Sequence, residues 1–461
     1  MPNNKFTGKI LWRNRFAFYL LAVGSACGLG NIWRFPYVAG ENGGGAFILL
    51  YLLLAFTVGV SILIAELMLG KKSEASLLKI THRVSTTHKK PYFWISRLTL
   101  FITLVILSYY SVISGWVLHY ITQFVVGFFR GDTLHYISSL NMKVLTDNGW
   151  LQFALASVHL IVAGLIVGQR ITNRFEKILT TFIIPVFVFL FAMLLVRSLS
   201  LDSTPEVLRF IFYPDFSKLN LRSLGHAIGH VFFTLSIGVG ALVTFGSYFK
   251  AEDHLPKVGF RVMMVDVMIS LFSVLLVFPI AFSIGEKPLT DPSLLFEALP
   301  RLFMKIQFGA LFGLGFFICL WAAALNASVG LLETLASNYS ERYLKSDRKN
   351  SIWLITVITL GFTIIPAFSG SALKDVKLFD QTLLENIDSF LINYLLPISG
   401  LGMAFLFFKA LPLADQKDLF LDEKTESSYA LINYWQAILK FAAPILIAAG
   451  IILQIIALVR G

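Results

Sequence analysis

Eleven apolar runs divide this chain, and about 20 such residues in a row is what a helix needs to cross the hydrocarbon core of a bilayer. They lie near 16 to 39, 45 to 69, 94 to 127, 149 to 167, 176 to 199, 223 to 249, 260 to 284, 306 to 338, 351 to 369, 384 to 408 and 431 to 458. In hydrocarbon a segment must satisfy its own backbone groups, so runs of this kind predict helices. With 461 residues, 56% hydrophobic and 14% charged, the chain carries more apolar surface than one soluble core can hide. An all-α integral membrane protein of eleven spans is the expected fold class. The longer polar stretches, near 128 to 148, 200 to 221 and 410 to 430, leave room for short surface helices but not for a soluble domain. Residues 1–461 therefore read as one transmembrane domain.

The formal charge of +11 would suggest a nucleic-acid partner in a soluble protein. Here the basic residues gather in alternate loops, with Lys71, Lys72, Lys79, Arg83, Lys89 and Lys90 after the second span. By the positive-inside rule that puts the amino terminus in the cytoplasm and, with an odd number of spans, the carboxyl terminus outside. The charge then reports orientation, and no nucleic-acid partner is expected. The first span is too long for a signal peptide, is interrupted by glycines and lacks a small-x-small cleavage site. Cys27 and Cys319 both lie in apolar runs, which indicates neither a disulfide framework nor a zinc site.

Two spans contain glycine-rich interruptions at matching places in the two halves of the chain. One is Gly24-Ser-Ala-Cys-Gly28-Leu-Gly30-Asn31; the other is Phe233-Thr234-Leu-Ser236-Ile-Gly238-Val-Gly240. Glycine inside a helix costs about 1 kcal/mol relative to alanine, so such clusters mark backbone that unwinds. Unwound backbone at bilayer depth must be buried in protein or line a cavity. Spans 1 and 6 each open a set of five, which predicts two inverted repeats, about 16–199 and 223–408, with an extra helix at about 431–458 and a midplane site between the breaks. Free amides at a half-helix start suit a carboxylate, and free carbonyls suit an ammonium or a hard cation. Asn31, Thr234 and Ser236 add neutral oxygens, so an amino acid and sodium fit this chemistry.

The string GSACGLGNIWRFPYVAGENGGGAF at 24–47 closely resembles the signature of the neurotransmitter:sodium symporter family, and FFTLSIGVGALVTFGSY at 232–248 is similar to its sixth helix. The resemblance covers nearly the whole chain. It implies the leucine-transporter-type fold and sodium-coupled import of an amino acid by alternating access. The family's usual twelfth helix is absent, as in many bacterial members, which implies a plasma membrane of bacterial inner-membrane type. A monomer or weak homodimer is expected.

Carried onto this sequence, the resemblance implies a substrate carboxylate held by the amides of Leu29 and Gly30 and the hydroxyl of Tyr110. The substrate ammonium would meet the carbonyls of Ala26, Phe233 and Ser236. Gly28 stands where monoamine carriers have an aspartate, which leaves room for the substrate's own carboxylate. The side chain would face Ile106, Phe233, Ser236, Val239, Ala327 and Leu331, an apolar set that favours a hydrophobic amino acid.

A first sodium site is implied at Ala26, Asn31, Thr234 and Asp266, and a second at Gly24, Cys27, Ala323 and Asn326. Asp266 replaces an asparagine found in many relatives, and a carboxylate inside a span is by default functional. Its charge can stand in for the anion that chloride-dependent relatives need, so chloride is not expected to be required. The second site lacks a hydroxyl at Ala327 unless Ser328 or water substitutes, which leaves one or two sodium ions open. Arg34 and Asp388 resemble the outer gate; Lys9, Trp12, Ser247, Tyr248 and Glu341 resemble the inner one. Glu66, deep in the second span, is expected to accept hydrogen bonds from the freed amides as scaffold, and His230 reads as a core histidine. Span 5 lacks the glycine placed ahead of Pro185 in several bacterial relatives.

Two rival readings keep the fold: a sensor or degenerate carrier that binds without turnover, and a proton-coupled amino-acid carrier using Asp266, Glu66 or His230. An intramembrane enzyme is disfavoured, because no Ser with Lys, HExxH or paired-aspartate arrangement lies inside the spans.

Overall fold

The computed structural model describes residues 29–131, 142–168, 177–249, 253–283, 294–303, 307–342, 348–379, 381–421 and 428–460. Lys9, Trp12, Gly24, Ala26, Cys27 and Gly28, with the first half of span 1, lie outside the described residues. The described chain is almost entirely helical; its one extended pairing is an isolated bridge between Leu378 and Gln381.

Among the described residues nine helices are long and apolar enough to cross a bilayer. They are α2 (Gly45–Ser73), α4 (Phe93–Arg130), α5 (Gly149–Gly168), α6 (Leu179–Leu199), α9 (Leu255–Ser283), α10 (Gly309–Glu341), α11 (Arg348–Phe368), α12 (Leu383–Ala410) and α13 (Ala430–Arg460). The remaining described elements used below are α1 (30–41), α3 (Leu77–His88), α7 (Ser223–Thr234) and α8 (Ala241–Gly246). Span 6 appears as α7 and α8, two pieces each too short to cross alone. α4 has 38 residues, roughly 57 Å at 1.5 Å per residue against an apolar core of about 30 Å, so it must tilt or project. Short helices do occupy the polar stretches, at Met142–Thr146, Thr204–Phe212 and Leu413–Phe420.

The helices sort into two groups by what they touch. α4, α5, α10 and α11 form a block in which every pair is in contact. α1, α2, α7, α8 and α9 form the second group, with α2 packed on α7, α8 and α9. α12 touches both, through α2 and α7 on one side and α4 on the other.

Large apolar side chains such as Phe129, Phe182, Phe189 and Ile445 are exposed on the outside, while Asn31, Arg34, Glu66, His159, His230, Asp266 and Asp388 are buried. In water that distribution would be costly; with lipid as the outer solvent each apolar face is covered and each polar group turns inward. Among the described residues five helices contain a single π-helical turn, at Gly30–Arg34, Ala55–Gly59, Leu179–Ile183, Leu391–Leu395 and Ile438–Ala442. The one in α6 sits immediately before Pro185, whose missing N–H cannot continue the α-helical ladder.

Candidate substrate and ion site

The site is built around the break in span 6. α7 stops at Thr234 and α8 begins at Ala241. Between them Ser236, Gly238 and Gly240 adopt positive φ of 56°, 78° and 74°. A Cβ on Gly238 would also meet the Gly400 amide nitrogen and the Leu396 carbonyl oxygen of α12, each at 2.9 Å, so glycine is required twice over. The backbone groups freed by unwinding find side-chain partners. Gly238 donates its N–H to Oε1 of Glu66 at 2.8 Å. Its carbonyl accepts from Ser399 Oγ at 2.6 Å, and the carbonyl of Val239 accepts from Thr103 Oγ1 at 2.7 Å. The buried turn therefore hangs on α2, α12 and α4 through these three groups.

Beside this turn three of the residues expected at the first sodium site come together. Asp266 is 1% exposed on α9. Asn31 Nδ2 donates to its Oδ1 at 2.7 Å, and Thr234 Oγ1 donates to its Oδ2 at 3.0 Å. Tyr51 of α2, which the sequence did not single out, donates to the same Oδ2 at 3.2 Å and also contacts Ser270. Ser273 of α9 ties down the first turn of α1 through its contact with the Asn31 carbonyl at 2.6 Å. These contacts are charge-assisted and hold the carboxylate in place, yet all are neutral donors. A buried carboxylate with amide and hydroxyl oxygens around it is a hard donor set, of the kind that holds sodium and not a transition metal. Among the described residues no cluster of His, Cys, Asp and Glu could hold a metal of that second type.

Of the residues expected to contact an amino acid, Phe233, Ser236 and Val239 belong to this turn or its edge, and Ala26 lies outside the described residues. The Tyr110 hydroxyl lies against the backbone amide of Leu29. The Phe233 ring covers Gly30, where an added Cβ would come within 3.0 Å of it. Ile106 and Tyr110 are one helical turn apart on α4, as are Ala327 and Leu331 on α10, so each pair shares a helix face. Ile106, Val239 and Leu331 are buried, and Ser236 and Ala327 are half-buried. Of the second ion site, Ala323 and Asn326 are buried in α10. Ser328 is turned the other way, since its hydroxyl meets His159 Nε2 of α5 at 2.8 Å while Trp321 donates to His159 Nδ1.

Above the turn Arg34 pairs with Asp388 at 3.1 Å, with both side chains 5% exposed or less. The guanidinium stands 5.9 Å from the Phe233 ring centroid. It also reaches His230 Nδ1 at 3.3 Å, and because arginine only donates, that nitrogen must accept. His230 stacks on Phe35. It is thus a partner of Arg34, which an isolated histidine in an apolar string does not disclose. On the opposite side Tyr248 donates to Glu333 at 3.2 Å, and Arg348 pairs with Glu333 at 2.7 Å. Glu341 instead accepts from the Ser76 amide at 2.6 Å and pairs with Lys79, and Ser247 bonds to the Thr244 carbonyl in its own helix. The described inner network therefore centres on Glu333, a carboxylate inside span 8 that the cost of buried charge could have flagged.

Residues 9–128 and 124–460 match the family model described as the sodium:neurotransmitter symporter family. The chain belongs to this family. The symporter is 30% identical over 441 residues to the sodium-dependent transporter YhdH of Bacillus subtilis (strain 168), covering 95% of this chain and 96% of the relative. It is 27% identical over 452 residues to a sodium-dependent transporter of Haemophilus influenzae, covering 95% and 96%. Its fold superposes on the crystal structure of MhsT in complex with L-phenylalanine with a TM-score of 0.86 and 30% identity, covering 97% of this chain and 100% of that one. The protein is a sodium-coupled multi-pass membrane transporter, and it is not an enzyme.

Proposed function

We propose that this symporter imports a hydrophobic amino acid with sodium by alternating access. The observation that supports the reading is the meeting of Asn31, Thr234 and Asp266 beside the unwound turn at 235–240. The substrate carboxylate takes the amides of Leu29 and Gly30 and the Tyr110 hydroxyl; its ammonium takes the carbonyls of Ala26, Phe233 and Ser236. Ile106, Val239, Ala327 and Leu331 receive the side chain. The complex of MhsT with L-phenylalanine supports an amino acid of this class.

Sodium is held with the substrate by Ala26, Asn31, Thr234 and Asp266. The Asp266 carboxylate supplies the negative charge, and transport is chloride-independent. A second ion at Gly24, Cys27, Ala323 and Asn326 is weak, because Ala327 offers no oxygen and the Ser328 hydroxyl is engaged by His159. Glu66 supports the turn, the Arg34–Asp388 pair closes over Phe233 and Tyr110, and Tyr248 with Glu333 and Arg348 guards the inner side together with Lys9 and Trp12. The repeats span about 16–199 and 223–408, with an extra helix at about 431–458. In a bacterial inner membrane the amino terminus faces the cytoplasm and the carboxyl terminus the outside.

The test is thermal stabilisation of the purified protein by each of the twenty amino acids, with and without sodium, since a ligand that binds the folded state raises its stability. Large apolar amino acids should stabilise only with sodium. Counterflow of the best ligand in proteoliposomes then separates a carrier from a sensor, which binds without exchange. Stabilisation that is independent of sodium, or confined to charged or small polar amino acids, overturns the proposal.

A further inference from the structure

Two carbonyls of the unwound turn are held by hydroxyls that the ion and substrate contacts do not use. Ser399 on α12 donates to the Gly238 carbonyl at 2.6 Å, and Thr103 on α4 donates to the Val239 carbonyl at 2.7 Å. The order of protons follows from the number available. A serine hydroxyl has one hydrogen, and that of Ser399 goes to Gly238. The contact between Ser399 and Thr99 at 2.7 Å must then be donated by Thr99. Thr103 Oγ1 lies equally close to the Thr99 carbonyl one turn back on its own helix, at 2.7 Å, so its single hydrogen is shared between that carbonyl and the Val239 one. That local bond alone would satisfy a buried threonine in a membrane helix. Its second contact is a tertiary one, to the very residue whose side chain faces the proposed pocket.

The placement on α4 gives this contact its consequence. Thr99, Thr103, Ile106 and Tyr110 follow at intervals of four, three and four, so they form one stripe along the helix. The stripe that supplies Ile106 and Tyr110 also grips the peptide of Val239. The separation of Val239 from Ile106 is thus set by a hydrogen bond from within the same helix face.

We propose that Thr103 and Ser399, with Thr99 behind it, are positioning residues that set the width of the side-chain pocket and so which hydrophobic amino acids it accepts. They act by fixing the Gly238 and Val239 carbonyls to α4 and α12, without touching substrate. This rests on the reading of residues 233–239 as substrate-binding backbone.

The test uses the purified full-length symporter with four variants. Thr103→Val removes the donor and keeps the shape, Thr103→Ser keeps the donor, and Ser399→Ala removes the second hydroxyl. Thr356→Val is the control, since Thr356 is buried in α11 and bonds to the Ile352 carbonyl of its own helix. Two quantities are read: the ratio of leucine to tryptophan affinity in saturating sodium, and hydrogen–deuterium exchange of the peptide covering 235–241. Thr103→Val and Ser399→Ala should each shift the affinity ratio and accelerate exchange by about fivefold or more, the scale of one hydrogen bond. Thr103→Ser and Thr356→Val should leave both near wild type. A purely structural role would lower the yield of folded protein and leave the ratio unmoved. If Thr103→Val does not fold, Ser399→Ala alone decides. Unchanged exchange and ratio in the donor-less variants, or equal effects in Thr103→Ser, overturn the proposal while wild-type binding stands. If the wild type binds no amino acid in sodium, the substrate reading fails and this inference fails with it.

Discussion

Replacing Asp266 by asparagine isolates the charge of the proposed ion site from its shape. The wild-type carboxylate accepts from Asn31 on one oxygen and from Thr234 and Tyr51 on the other. An asparagine can keep all three contacts: its oxygen accepts from Asn31, and its NH2 donates to the two hydroxyls, which turn round to accept. The fold should therefore survive. What is lost is the charge. A unit charge about 4 Å from a monovalent cation contributes about 4 kcal/mol at an effective dielectric of 20, and dehydrating the wild-type carboxylate offsets part of this. A net loss of about 2 to 3 kcal/mol weakens sodium binding roughly 30- to 150-fold, at 1.4 kcal/mol per tenfold. The assay is a sodium titration of amino-acid binding to purified Asp266→Asn, with its melting temperature measured alongside. A sodium midpoint within about threefold of wild type, in a protein that melts normally, would refute the assignment of the driving ion to this carboxylate.

Replacing chloride by gluconate should leave wild-type uptake in proteoliposomes unchanged, and a collapse of uptake would overturn the chloride-independent reading. Arg34→Ala or Asp388→Ala each strands a buried charge, at a cost of about 3 to 5 kcal/mol; the double variant should melt higher than either single one by thermal denaturation. Gly238→Ala should abolish transport, because its φ of 78° strains an L-residue and its Cβ would press on the backbone of α12; full activity of this variant would mean that the turn relaxes freely. Glu333→Gln weakens the pair with Arg348, and a solvent-accessibility assay on the Tyr248 side should report a more open inner face.

The long apolar runs and the glycine clusters made the membrane fold and the position of the break legible, because both signals are local in sequence. Asp266 and Glu66 were legible for a related reason: a carboxylate in a span must have a purpose or a partner. Tyr51, Thr103 and Ser399 were not. A hydroxyl in a helix ordinarily bonds back to its own preceding turn, and nothing in the sequence tells a threonine that stops there, such as Thr356, from one that also reaches another helix. The resemblance to the family implies Glu341 in the inner cluster, but its carboxylate is taken by the Ser76 amide and Lys79 of the adjoining segment. Such competition between partners is decided by packing.

The separation of the helices into two groups bears on how a transporter of this kind can diversify. Ile106, Ala327 and Leu331 belong to the block of α4, α5, α10 and α11, whereas Asn31, Thr234 and Asp266 belong to the other group. On the proposed assignment, a substitution on the first set changes the cargo that fits and leaves Asn31, Thr234 and Asp266 in helices that it does not belong to. If that assignment holds, cargo preference can drift over evolutionary time by single steps that leave these three groups unchanged.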